Sequence, residues 1–396
     1  MYFYSGPGTE DEESCKVFDV DVAEVKAQMM RFLKKMKAGK SCADDGLVAE
    51  MLQNSSETFL EMLALLFSDL LSGRGGIPEE WKCSRLMVLY KKGDARLPHN
   101  YRPIMILPVL SKLFSGILLE RMSRQLEESR TPEEMGFRKA FNCSDLVHML
   151  RMLGEKAAEW GETVWMASLD LEKAFDKLLH TAVFEGLECT QIDPCTIAAV
   201  RSLYTHNRAC IQVRGGSRSR VFSILRGVRQ GDPLSPALFT NTVRVCMHKL
   251  KESWERRRLG TIIGSSDGQC NRITFAMFAV ETTLVAKSKK ALKLMLREIC
   301  KELCSIGLNV NTDKCSVQHS SPDGHLSLVV DGQTFPVVSR DVGFKVLGVQ
   351  FTLNGNTRAE FDSRMRSAYG KFSSLQEAFL KRDSNLCKRL QLSQIG

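Results

Sequence analysis

Thr163-Val164-Trp165-Met166-Ala167-Ser168-Leu169-Asp170-Leu171-Glu172-Lys173-Ala174-Phe175-Asp176 passes from a compact apolar run into an acidic segment. The run 163–169 has the length and composition of a buried strand. Asp170 stands where that strand meets solvent. A carboxylate at a strand end beside a cleft can bind a divalent cation, because Mg²⁺ prefers hard oxygen ligands and keeps its other positions for water and phosphate. The same aspartate would serve as a helix N-cap. These residues alone leave both readings open.

Downstream, Arg226-Gly227-Val228-Arg229-Gln230-Gly231-Asp232-Pro233-Leu234-Ser235-Pro236 opens a long helix. Two prolines and two glycines around a Gln and an Asp make a tight polar turn. Its backbone could approach a flat partner closely.

The chain has 396 residues, enough for two or three subdomains around a sizeable core. It is 43% hydrophobic and 26% charged, with a formal net charge of +9. That surplus suits a polyanionic partner such as nucleic acid, though a basic protein without one has the same charge. The 13 cysteines follow no framework of short spacings, and the acidic N-terminus lacks a signal-peptide layout. Free thiols in a reducing, intracellular compartment are expected. No apolar run has the length to span a bilayer, which argues against a membrane function.

Helices are expected at 21–37, from 47, at 56–71, 111–128 and 144–160, near Pro194, and at 236–258, 288–306 and 358–392. Strands are expected at 81–90, 163–169, 210–214, 220–225, 272–278, 283–286, 326–330 and 344–351. Interleaved strands, hairpins and long helices indicate the α+β class.

The order of these pieces resembles the reverse transcriptases of non-LTR (LINE-like) retrotransposons. Residues 169–176 resemble motif A, and residues 229–236 resemble motif B, the most specific piece. Gly93-Asp94 with Asn100-Tyr101-Arg102-Pro103-Ile104, and Gly136-Phe137-Arg138, resemble the fingers segments. Gly39-Lys40 through Asp45-Gly46 resembles an upstream segment, with Cys42 and Ala43 replacing its usual Gly and Pro. Gly307-Leu308-Asn309-Val310-Asn311 with Lys314 resembles motif D, and Phe344-Lys345-Val346-Leu347-Gly348 resembles the motif E hairpin. The resemblance covers roughly residues 30–355 in family order.

It implies a right-hand polymerase fold with an antiparallel palm sheet flanked by helices. The expected divisions are a disordered lead at 1–20, a helical extension at 21–80, fingers at 81–160, palm at 161–352 and the start of a thumb at 353–396. Part of 178–230 would return to the fingers. It implies copying of an RNA template into DNA from a DNA primer and dNTPs. Two Mg²⁺ ions activate the attacking hydroxyl and stabilise the leaving pyrophosphate in such a reaction. Asp170 and the Leu171 carbonyl would be metal ligands. Phe175 would reject a 2′-hydroxyl, and Gln230 and Gly231 would line the nucleotide and template side. Arg102, helped by Lys91 or Lys92, would meet the triphosphate, and Lys314 would donate a proton to pyrophosphate. Arg138, and Arg364, Arg366, Lys371, Lys388 and Arg389 at the thumb, would contact nucleic acid. As plain residues, Phe175 could be core, and the cations, including the run Arg256-Arg257-Arg258, could be solvated. By analogy with the family, the protein would act in the nucleus.

Motif C departs from the pattern. Its aromatic-Ala-Asp-Asp becomes Phe278-Ala279-Val280-Glu281. Val280 has no side-chain oxygen, and Glu281 is one methylene longer than Asp. Losing one donor to a transition state costs on the order of 10²–10³ in rate. Losing a carboxylate that bridges both cations should cost at least that, so weak or no polymerisation is expected. A single cation held by Asp170 and Glu281, better with Mn²⁺, is the competing expectation. A non-catalytic nucleic-acid-binding scaffold is the alternative from another class, and an intron maturase would need a further helical domain. A fragment of a longer reading frame is expected, with a shortened thumb and no endonuclease or ribonuclease H domain. Cys300, Cys304, Cys315 and His319 have a loosely zinc-finger-like spacing that buried cysteines explain as well.

Overall fold

The computed structural model describes residues 17–380, apart from 92, 139–140, 214–215, 264–270, 321–326, 340 and 356. Asp21 caps helix α1 (Val22–Leu33) by accepting the Ala23 N–H at 2.9 Å. The short α2 (Ala49–Gln53) precedes α3 (Glu57–Ser72), which Ser56 caps and Gly73 ends in a left-handed conformation. α4 (Glu79–Lys82) leads into β1 (Cys83–Tyr90), and β2 (Tyr101–Ile106) returns beside it. α5 (Val109–Glu128) and α6 (Cys143–Glu159) follow, the latter started by a reciprocal Asn142–Asp145 capping box. Then come β3 (Trp165–Leu169), α7 (Ala174–Lys177), α8 (His180–Cys189) and α9 (Pro194–Tyr204). β4 (Arg208–Gln212) and β5 (Phe222–Ser223) precede the long α10 (Ser235–Arg256). β6 (Thr261–Ile263), β7 (Asn271–Ile273), β8 (Phe275–Phe278) and β9 (Glu281–Ala286) lead to α11 (Lys289–Ser305). β10 (Ser316–His319), β11 (Ser327–Val330), β12 (Gln333–Pro336), β13 (Phe344–Val346), β14 (Val349–Phe351) and α12 (Arg358–Leu380) complete the described chain.

Two compact units emerge, and the chain passes between them several times. The first takes in Met1–Phe137, Leu171–Ser253 and Glu298–Val310. Its four-stranded sheet has the order β2-β1-β4-β5, with β1 and β4 parallel and the other pairs antiparallel. Leu86, Met105, Leu107, Ala209 and Ile224 form the core on one face of that sheet. Phe67, Trp81 and Phe114 make a second nucleus, with ring centroids 5.5–6.1 Å apart.

The second unit takes in Arg138–Asp170, Trp254–Arg297 and Asn311–Gly396. Its sheet is antiparallel throughout, in the order β10-β3-β9-β8. β3 is buried along its whole length, which is why its sequence reads as a continuous apolar run. α6 packs on β8, and α12 on β14. The α+β class with an antiparallel sheet flanked by helices is therefore the class expected.

Several elements differ from expectation. The strand expected at 81–90 begins at Cys83, because Trp81 sits on α4 and packs against Phe67 and Phe114. The strand expected at 272–278 is two strands. β7 pairs with β6 and β8 with β9, and the break at Thr274 is held by its carbonyl accepting the Val285 N–H at 2.8 Å. The polar run Ser316–His319 gave no strand signal, yet β10 is an edge of the second unit's sheet, with Gln318 and His319 buried. The helix expected at 358–392 is described to Leu380, and the lead at 1–16 lies outside the described residues.

Glu134, in the first unit, is 2% exposed. Its carboxyl is pushed up from 4.5 to about 7 by burial, against the opposing pull of Arg244, Thr131 and Arg130. The native state then binds a proton that the unfolded chain has released, so stability falls as pH rises from about 4.5 to about 7. A difference of that size is worth roughly 3 kcal/mol. Urea denaturation at pH 5 and pH 8 should show the chain less stable at pH 8, with Glu134→Gln removing most of the difference. An unchanged pH dependence in the variant would contradict this assignment.

Candidate functional site

In the second unit, strand register organises the carboxylates. β3 and β9 pair as far as Leu169 opposite Thr282, and β8 and β9 close at Phe278 opposite Glu281. One step further along β3, Asp170 falls opposite Glu281. Two carboxylates in that relation repel each other. Lys314 compensates, with its ammonium 3.1 Å from Asp170 Oδ2. The Asn311 N–H also donates to the Asp170 carbonyl at 2.8 Å. Both charged side chains are partly open, 54% for Lys314 and 33% for Asp170, so solvent screens the pair to about 1 kcal/mol or less.

Glu281 is engaged elsewhere. Its Oε2 accepts the Leu347 N–H at 2.7 Å. Leu347 and Gly348 form the turn between β13 and β14, at φ 50 and 80. A carboxylate that accepts this amide holds a turn in which Leu347 bears left-handed strain. Ala279 and Val280 form the two-residue turn from β8 to β9, with Ala279 at φ 56. Val280 presents no side-chain oxygen there. Asp170, Glu281 and Lys314 are thus brought together on one end of one sheet.

The first unit holds the remaining pieces of motifs A and B. Leu171 bridges to Val310, and the Glu172 N–H donates to the Asn309 carbonyl at 2.9 Å. Phe175, on α7, stacks on Phe239 with centroids 4.5 Å apart, so its ring is partly core. Gln230 Nε2 donates to Asp176 Oδ1 at 2.7 Å, and the Gln230 carbonyl accepts the Met105 N–H at 2.8 Å. Burial raises the Asp176 carboxyl above its usual range, while the Gln230 donor, Lys173 and Arg102 pull it back. Gly231 has φ 111, and a Cβ there would lie 2.7 Å from the Met105 carbonyl oxygen. Arg102 is exposed on β2, paired across from Leu89. Lys91 is exposed, its N–H donating to the Asn100 carbonyl at 2.9 Å. Lys92 lies outside the described residues.

Arg138 belongs to the second unit, its guanidinium 4.9 Å from the Phe141 ring centroid. On α12, Arg364 pairs with Glu360 at 2.7 Å, Arg366 donates to the Asp362 carbonyl at 3.2 Å, and Lys371 is exposed. Lys388 and Arg389 lie outside the described residues. Among the described residues, no group of three or more His, Cys, Asp and Glu is placed to hold a metal ion. Among the same residues, no helix is long and apolar enough to cross a membrane.

The polar turn at 226–236 holds a buried ion pair that the sequence reading did not foresee. Arg229 and Asp232 are 2% and 3% exposed and form a buried ion pair. Ser115 joins it, donating to Asp232 Oδ2 at 3.0 Å, and the guanidinium faces the Tyr204 ring. An Arg and an Asp at i and i+3 beside Gly and Pro carried that signal. Asp176 was also missed as a Gln230 partner, since a lone Asp after Phe gives no sign of burial.

The chain matches the family described as reverse transcriptase (RNA-dependent DNA polymerase) over residues 90–351. The chain belongs to the reverse transcriptase family. It is 28% identical to the Pol polyprotein of the retrotransposable element R2DM from Drosophila melanogaster, over 75% of this chain and 28% of that protein. It is 29% identical to the Pol polyprotein of the element R2 from Popillia japonica, over 71% of this chain and 39% of that protein. It therefore spans well under half the length of these relatives. Apo telomerase from Candida tropicalis is a looser likeness, with a TM-score of 0.47 at 12% identity over 71% of this chain and 52% of that chain. The reverse transcriptase domain is of the LINE-like, non-LTR retrotransposon type, as its motif series implied. The family in general uses divalent metal.

Gly231→Ala should lower stability by about 1–3 kcal/mol, because the alanine is strained at φ 111 and crowds a backbone oxygen. Denaturant midpoints compare the two chains directly. Equal midpoints would mean that the turn can shift without cost.

Proposed function

We propose that this reverse transcriptase domain binds primer, template and dNTP but polymerises weakly or not at all, because its palm lacks the bridging carboxylate of motif C. One observation carries the reading: a valine stands in the β8–β9 turn, next to Glu281 and the Asp170 strand end. Divalent cations supply the activation of the attacking hydroxyl and the stabilisation of pyrophosphate in this chemistry. Asp170 and Glu281 are the acidic side chains available to them here. Asp170 is paired with Lys314 and Glu281 with the Leu347 amide, so a cation would have to compete with both. This donor set does not fit two cations.

The remaining roles follow the motif match. Residues 81–160, 161–352 and 353–396 serve as fingers, palm and the start of a thumb, preceded by the helical extension at 21–80. Arg102, with Lys91 or Lys92, faces the triphosphate. Phe175 excludes a 2′-hydroxyl, and its stacking on Phe239 gives that ring the rigidity such a role needs. Gln230 and Gly231 line the nucleotide side; the Asp176 hydrogen bond fixes the Gln230 side chain and the Met105 N–H fixes the Gln230 carbonyl. Lys314 would protonate pyrophosphate only after leaving Asp170. Arg138 and the α12 cations Arg364, Arg366 and Lys371 contact the nucleic-acid backbone, making affinity salt-dependent.

Primer extension on an RNA template, with Mg²⁺ and separately Mn²⁺, tests this reading. The unaltered chain should extend at least about 100-fold more slowly than a Val280→Asp, Glu281→Asp chain. Val280→Asp alone belongs in the comparison, because shortening Glu281 removes the acceptor for the Leu347 amide. Fast extension by the unaltered chain would show that Glu281 supplies what Val280 cannot.

A further inference from the structure

Charge is very unevenly distributed along the chain. Residues 256–297 contain nine Lys and Arg (256, 257, 258, 272, 287, 289, 290, 293 and 297) against two acids, Asp267 and Glu281. Nine minus two is +7, out of a whole-chain net of +9. The fold gathers most of these cations at one corner of the second unit. α10 ends at Arg256, and the Lys287 N–H then donates to the Leu259 carbonyl at 3.1 Å. That bond ties the run Arg256-Arg257-Arg258 to the start of α11. Arg256, Arg257, Arg258, Lys287, Lys290 and Lys293 are all exposed. Glu255 and Glu298 bound the stretch on its two sides, and Arg297 at its far side is paired with Asp331 at 2.7 Å, which leaves the lysines 287, 290 and 293 and the run 256–258 as its other exposed cations.

This corner is not the carboxylate end of the sheet. β9 runs from Glu281 to Ala286, and Trp165 at the start of β3 pairs with Ala286. A six-residue strand spans about 17 Å. Asp170 and Glu281 therefore lie at one end of β9 and the basic corner at the other. Like charges crowded on a folded surface repel. They repel less with a polyanion against them, which neutralises the charge and releases the counterions condensed on it.

We propose that the α10–β9–α11 corner is a second nucleic-acid-binding surface, holding the phosphate backbone of RNA away from the strand-end carboxylates. Contacts from these ammonium and guanidinium groups to phosphate oxygens carry no sequence information, so binding through the backbone here is independent of sequence. A template segment lying beyond the copied region has that chemistry. The surface does not depend on whether the strand-end site is catalytically competent.

The test uses the full chain and a fluorescein-labelled 40-nucleotide single-stranded RNA, with a DNA strand of the same sequence and acidic phospholipid vesicles as further arms. Affinity is measured by anisotropy across a NaCl series. Lys287→Glu, Lys290→Glu, Lys293→Glu should weaken RNA binding at least 10-fold. Its log–log salt slope should be shallower by about 2, since each lost contact on a single strand contributes about 0.7. A Lys→Gln version of the same triple should weaken binding less and leave the melting temperature unchanged, which separates lost contacts from misfolding. Parent-like affinity and slope in the Glu triple would overturn the proposal. So would RNA binding retained while vesicle binding is lost. Equal loss for RNA and DNA supports a backbone-only surface, and primer extension scored separately keeps this result apart from the competence of the strand-end site.

Discussion

Buried strand β3 sets the position of everything chemical in the second unit. Flanked by β9 and β10 and buried along its whole length, it is paired residue for residue with both neighbours, Trp165 opposite Ala286 and His319, and Ser168 opposite Thr283 and Ser316. That constraint fixes where the strand stops, and Asp170 is the first residue beyond it. Lys314 and Glu281 follow from the same register, one from the chain entering β10 and the other from the start of β9. The acidic end of the sheet is thus a consequence of core burial, and it forms with a valine at position 280. Burial of β3 does not depend on Val280.

The first unit supports its part of the machinery by a different means. Gly231 approaches the Met105 carbonyl, Gln230 exchanges hydrogen bonds with Met105 and Asp176, and Arg229 and Asp232 are buried beneath as an ion pair. Breaking one partner of such a pair leaves an uncompensated buried charge, which costs several kcal/mol. The glycine–proline turn therefore combines close backbone approach with a rigid foundation. The proposed role of Gln230 and Gly231 in lining the nucleotide side requires both.

Much of this was legible in the residues. The apolar run ending at Asp170 and the strand pair around Ala279-Val280 each carried a local signal of length or periodicity, whereas residues 344–351 read as one strand and only the motif E resemblance implied the hairpin that divides them at Leu347-Gly348. Family order then tied them together. What stayed hidden depends on contacts distant in sequence. β10 looked polar because its buried Gln318 is satisfied by the Ser339 carbonyl and the Leu353 amide, partners that no local pattern reveals. Trp81 fitted an alternating strand pattern, but packing against Phe67 and Phe114 overrode it. Glu281 could be read as a longer aspartate. That it holds the β13–β14 turn could not be read, since Leu347 lies 66 positions away.

In the proposed reading, the strand-end site lacks the side-chain oxygens for two cations. Mn²⁺ titration of the full chain beside Val280→Asp, followed by loss of the free-ion paramagnetic resonance signal, counts the ions each chain holds. The unaltered chain should bind Mn²⁺ at least about tenfold more weakly than the variant and should not reach two ions per chain. Two tightly bound ions in the unaltered chain, with no gain in the variant, would contradict that reading.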